Sequence, residues 1–97
     1  MRTLLLIRGL PGSGKTTLAK EIATLQKGAI CVAADDFFMV QGKYHFDPTR
    51  LTEVHERCER TAALAMRNGS SLVIVHNTFS QRWEMQRYMT YAEQYGY

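Results

Sequence analysis

Lys15 and Thr16 close the run Gly9-Leu10-Pro11-Gly12-Ser13-Gly14-Lys15-Thr16, which matches the phosphate-binding spacing G-x-x-x-x-G-K-[ST] in full. Each residue type has a task in that pattern. Glycines permit the positive φ values and close backbone approach that a loop wrapped around a phosphate demands. The lysine ammonium reaches the β and γ phosphates, and the hydroxyl of Thr16 is the expected Mg²⁺ ligand. The stretch set against the nucleotide is thus Gly9, Leu10, Pro11, Gly12, Ser13, Gly14, Lys15, Thr16 and Thr17, with Thr17 by type an ordinary first-turn residue. A nucleoside triphosphate is the implied ligand; the bland alternative is a Gly-rich turn that binds nothing.

A second set of chemically capable residues is Asp35-Asp36, which follows the apolar run Ala29-Ile30-Cys31-Val32-Ala33-Ala34. In an open α/β sheet the carboxyl ends of strands face the ligand crevice. A carboxylate there can take the proton of an incoming hydroxyl as the γ-phosphate is transferred. Asp35 directly follows the strand and is the expected base. The competing role, open to either Asp, is to cap the helical turn that follows.

Such groups need a scaffold. Leu4-Leu5-Leu6-Ile7, the run ending in Ala34 and Leu72-Val73-Ile74-Val75 are continuous apolar stretches, the pattern of parallel strands buried on both faces. They place strands at about 3–8, 29–34 and 71–76. Between the first two, residues 17–27 have helical spacing, with Leu18, Ile22 and Leu25 on one face and Gly28 as a stop. Asp47-Pro48 starts a long helix that ends before Gly69. Its stripe is Leu51, Val54, Cys58, Ala62 and Ala65; its charges, Glu59 among them, lie outside the stripe and suit pairs such as Glu53–Arg57 and Glu56–Arg60. Thr78 and Gln81 fit a capping box for a last helix whose Trp83, Tyr88, Tyr91, Ala92 and Tyr95 are partly core-facing.

Phe37, Phe38, Met39 and Val40 either wall a base or pack under the sheet, the latter for two or three of them. Gln41-Gly42-Lys43 reads as a loop tip, and Tyr44-His45-Phe46 is an aromatic segment able to stack on a nucleobase. His45 is assigned no role.

With 97 residues, 45% of them hydrophobic, the chain suits one domain spanning 1–97. No apolar run approaches the roughly 20 residues of a bilayer span, so a cytosolic protein without membrane contact is expected. Cys31 and Cys58 lack metal-site spacing and suit a reducing compartment. The net charge of +3 permits a polyanionic partner, but the basic residues are interleaved with Glu rather than gathered in a patch.

Arg8 through Thr17, Asp35-Asp36-Phe37-Phe38, Asn77-Thr78 and Trp83-Glu84-Met85 together resemble the polynucleotide kinase-like branch of the P-loop kinases, especially the kinase domain of NEDD4-binding-protein-like sequences. The resemblance covers essentially the whole chain. It implies an α/β, three-layer P-loop NTPase fold with a parallel sheet, and an ATP- and Mg²⁺-dependent transfer of the γ-phosphate to a hydroxyl. In polynucleotide kinases that hydroxyl is the 5′ end of DNA or RNA. The catalytic roles carried over are those of Lys15 and of Asp35 as base, with Thr16 at the metal.

Two departures stand against it. Related sequences have Asp where this chain has His76, and imidazole is a poor partner for Mg²⁺. The family also continues into two further strands and an arginine-bearing lid, so the expectation is an incomplete kinase-type domain. Its first strand would then be an exposed apolar edge. A fragment, self-association through that strand, and a degenerate remnant, active weakly or not at all, are the three explanations. A small-molecule acceptor is the alternative substrate.

Overall fold

The computed structural model describes residues 2–10, 13–79 and 81–97. Three apolar runs become parallel strands, β1 (Thr3–Arg8), β2 (Ala29–Val32) and β5 (Leu72–Asn77), in the spatial order β1-β5-β2. A separate antiparallel hairpin joins β3 (Met39–Val40) to β4 (Lys43–Tyr44). Parallel neighbours need crossover connections. Helix α1 (Lys15–Thr24) lies between β1 and β2, and α2 (Leu51–Arg67) precedes β5. Helix α3 (Arg82–Tyr95) follows the sheet.

Side-chain alternation sorts the strands onto two faces. Leu5 and Ile7, Ala29 and Cys31, and Leu72 and Ile74 pack with Ala19 and Ile22 of α1. Leu4 and Leu6, Val32, and Val73 and Val75 turn the other way, onto Cys58, Ala62 and Met66 of α2 and Tyr88 and Ala92 of α3. The result is the expected α/β three-layer arrangement. Central β5 is buried along its whole length, whereas Leu4, Leu5, Leu6 and Ile7 of β1 are half-buried. Among the described residues β1 pairs only with β5.

Several local expectations are corrected. Helix α1 starts at Lys15, and its inward face is Lys15, Ala19, Ile22 and Ala23; Leu18 and Leu25 are 47% and 86% exposed. The rotation of the helix follows Lys15, which turns inward, and the small Ala19 lets the helix lie close to β5. In α2, Val54, Cys58, Ala62 and Ala65 are buried as expected, but so is Glu59, which forms an ion pair with Arg87 of α3. Asp47 caps as predicted: its Oδ1 accepts from the Thr49 N–H at 3.0 Å and opens a 3₁₀ turn, Pro48–Arg50, that runs into α2. The cap of α3 is Gln81, paired reciprocally with Glu84, and not Thr78. Phe79, at φ 49°, breaks the chain direction after β5, so helical geometry begins later than the sequence pattern suggests. Trp83 is 56% exposed rather than core-facing.

Candidate nucleotide-binding site

The strand register pairs Arg8 with Asn77 and Val32 with Val75, so all three strands deliver their carboxyl ends to one crevice. From β1 the chain enters the phosphate loop. A Cβ at Gly9 would stand 2.5 Å from Ser13 Oγ, so a side chain there would make that hydroxyl shift. Gly14 has open space around it, but its φ of +85° is left-handed and favours glycine. As N-cap of α1, Gly14 offers no side chain to the first N–H groups, and the first turn carries no acid. Among the described residues no side chain caps the positive end of the helix, an arrangement suited to an anion.

Lys15 is only 9% exposed. Its Nζ donates to the Leu10 carbonyl at 3.5 Å, the outer limit of a hydrogen bond, and no carboxylate pairs with it among the described residues. A buried ammonium with so little compensation is poised for an anionic partner. Of the other expected nucleotide contacts, Ser13, Thr16 and Thr17 are exposed, Leu10 is 73% exposed, and Gly9 is half-buried. Pro11 and Gly12 lie outside the described residues.

Asp35 stands on the 3₁₀ turn Ala34–Phe38 that follows β2. The cap of that turn is Ala33 and it has no side-chain capping bond, so neither Asp takes the alternative capping role. What fixes the turn is Asn77 at the end of β5: its Oδ1 accepts from the Ala34 N–H at 2.7 Å, and its Nδ2 donates to Cys58 Sγ at 3.7 Å. Tyr44 OH donates to Asp35 Oδ1 at 3.4 Å. Desolvation, and then the negative charge of Asp35, push the Tyr44 phenol above its usual range.

Lys15 and Asp35 line the same cleft, of about 260 Å³. Phe38, Tyr44 and Phe46 form one wall, with Phe38 edge-on to Tyr44 at 6.1 Å and tilted to Phe46 at 5.2 Å. Asn77, Thr78 and Phe79 form another. The aromatic segment is aimed there by the hairpin turn, where Gln41 (φ 52°) and Gly42 (φ 78°) adopt the paired left-handed angles of a tight two-residue loop. Of the four residues from Phe37 to Val40, Phe38 is buried and Phe37 partly so, while Met39 and Val40 are exposed. Arg57 lies over Phe37 at 5.0 Å and pairs with Glu53 at 3.7 Å, which occupies it structurally.

Thr16 is the oxygen donor whose chemistry fits Mg²⁺. Among the described residues no three His, Cys, Asp or Glu side chains converge as a metal cage. That suits an ion held mostly by nucleotide phosphates and water. His76 does not fit: it is 5% exposed, its Nδ1 has no hydrogen-bond partner, and burial lowers its pKa, partly offset by Asp36. A neutral imidazole in that position is not a ligand for a hard cation.

A family description, AAA domain, matches residues 4–97. The chain belongs to the AAA-domain family. It is 37% identical over 94 residues to NEDD4-binding protein 2 of Homo sapiens, covering 97% of this chain and 5% of that protein. It is 30% identical over 97 residues to the 2′,3′-cyclic-nucleotide 3′-phosphodiesterase of Rattus norvegicus, covering 99% of this chain and 22% of that one. Among solved structures, a chain of a Pnkp1/Rnl/Hen1 complex superposes with a TM-score of 0.77 at 26% identity, over 97% of this chain and 32% of the other. APE1195 matches in fold, with a TM-score of 0.71 at 22% identity over 98% of this chain and 58% of the other. This AAA-domain chain is thus a P-loop kinase-like domain that spans a minor part of the curated relatives it matches.

The sequence offers Asn77 only as part of the family resemblance and Tyr44 only as a base-stacking aromatic, not as partners of the turn that carries Asp35. Asn77 was findable as a polar residue ending an apolar strand, at the same sheet edge as Asp35. Tyr44 reaches Asp35 only through the hairpin, which the Gln41-Gly42 turn signals.

Proposed function

We propose that the chain is an ATP-dependent phosphotransferase acting on a hydroxyl, with the 5′-hydroxyl of a polynucleotide as acceptor. The observation that supports this reading is the common cleft: Lys15 enters it from the phosphate loop and Asp35 from the end of β2. The open end of α1 and the Lys15 ammonium hold the β and γ phosphates. Asp35 accepts the acceptor's proton as its oxygen bonds to the γ-phosphorus and the bond to the β–γ bridging oxygen breaks, releasing ADP. Asn77 and Tyr44 position the base. When bound, Mg²⁺ would neutralise phosphate charge, with Thr16 as its oxygen donor. Cytosolic location, a nucleic-acid 5′ end as partner and self-pairing through β1 belong to the same proposal; no described helix is long and apolar enough to cross a membrane.

A second reading, a nucleotide-binding module without turnover, is favoured by the buried neutral His76 where the resemblance implies a carboxylate. Incubation with γ-labelled ATP and a 5′-hydroxyl oligonucleotide separates the two. Label on the oligonucleotide's 5′ end supports the enzyme; ATP binding with no label on the oligonucleotide, nucleosides or small alcohols refutes it.

A further inference from the structure

A second cavity, of about 230 Å³, lies between α2 and α3 beside the nucleotide cleft. The two share Leu51, His55, Asn77, Phe79 and Glu84, so they are neighbours across a common wall. Lys15 and Asp35 line only the first. The order from the phosphate loop is therefore triphosphate cleft, then this cavity, which puts it on the acceptor's side of Asp35.

Its chemistry is specific. Trp83, 56% exposed, offers a flat aromatic face, and Leu51 and Phe79 add apolar wall. Three carboxylates, Glu56, Glu59 and Glu84, line it against one guanidinium, Arg87. At its floor Glu59 is ion-paired to Arg87, and the hydroxyl of Tyr88, a residue 2% exposed, has no hydrogen-bond partner. The acidic lining disfavours phosphate, and the Tyr88 hydroxyl asks for one polar partner. A flat neutral ring with a polar edge answers each feature. Drug-sized pockets run roughly 300–1,000 Å³, so this smaller cavity has room for a single ring system rather than a whole nucleotide.

We propose that this cavity binds the nucleobase of the acceptor's terminal nucleoside, stacked on Trp83, while its 5′-hydroxyl extends to Asp35. The inference rests on the phosphotransferase reading for its direction, but the base pocket has its own test. Trp83 is the sole tryptophan in the chain, so intrinsic fluorescence reports on the cavity. With a non-hydrolysable ATP analogue saturating the first cleft, adenosine is expected to quench Trp83 saturably and ribose is not. Trp83→Ala, at an exposed position that folding tolerates, is expected to weaken adenosine binding by roughly tenfold or more in calorimetry, from the loss of base stacking, with affinity for the analogue unchanged. An oligonucleotide with an abasic 5′ end should have a KM raised by a similar factor. Adenosine that binds no better than ribose, or that the analogue displaces completely, overturns the pocket. If adenosine binds as described and no phosphate is transferred, the pocket stands and the phosphotransferase reading falls.

Discussion

Asn77 Oδ1 accepts the Ala34 N–H at 2.7 Å and so fastens the end of the central strand to the turn that carries Asp35. The bond spans 43 positions in sequence and joins two strand ends. Asn77 is 7% exposed, and its amide also meets the Cys58 thiol, so its rotamer is held from both sides. Asn77→Ala leaves the half-buried Ala34 N–H without this partner, a cost of about 1–3 kcal/mol, toward the lower end because water reaches part of the site. The expected outcome is a lower Tm together with a fall in kcat of tenfold or more and little change in ATP affinity, checked by thermal unfolding and steady-state kinetics.

Lys15 gives the opposite balance. Its buried ammonium has one stretched carbonyl contact, so replacing it with an apolar chain of similar length removes a desolvation cost. Lys15→Met is expected to match or exceed the parent's Tm without nucleotide. ATP at a hundred times Kd should raise the parent's Tm by roughly 10–20 °C, from about 2.7 kcal/mol of linkage in a domain near 100 residues. The variant should show little of that rise in the same melting assay.

His76 predicts an acid-side loss of stability. Burial lowers its folded-state pKa below the ordinary histidine value of 6.5; Asp36 and Asp35 oppose the shift, and Lys15 and Lys20 add to it. Between the folded value and 6.5 the unfolded chain binds more protons, so stability rises with pH there and is lost as pH falls through that window. His76→Leu removes the titration and the unfilled Nδ1. Chemical denaturation at a series of pH values should show the parent losing stability just below pH 6.5, and the variant losing less.

The two cysteines should differ in reactivity. Burial, the dominant cause, raises the thiol pKa of both, but Cys58 is fully buried and Cys31 only half-buried. A thiolate is the reactive species. At mildly alkaline pH one thiol, Cys31, should label slowly in the native protein, and Cys58 only after denaturant is added; mass spectrometry of the alkylated chain checks this.

How much of this was readable beforehand depended on the range of the interaction. The three apolar strands and the Asp47 cap are local patterns, and each is found where its residues predict. Helix α1 departs from its sequence pattern because Leu18 and Leu25 outweigh Ala19 in any hydrophobicity count, whereas the face that turns inward is that of Lys15 and Ala19. Glu59 read as a surface charge because its partner Arg87 lies on another helix. The exposed Trp83 and the unpartnered Tyr88 hydroxyl beneath it depend on how α2 meets α3, which no single segment records.

Asp35→Asn tests the central claim most directly, with γ-phosphate transfer to a 5′-hydroxyl oligonucleotide and ATP affinity measured on the same preparation. The account predicts transfer reduced by at least a hundredfold, the lower range of general-base contributions, with ATP affinity within a few-fold of the parent. Transfer that survives the substitution, or that falls only in step with ATP binding, would contradict it.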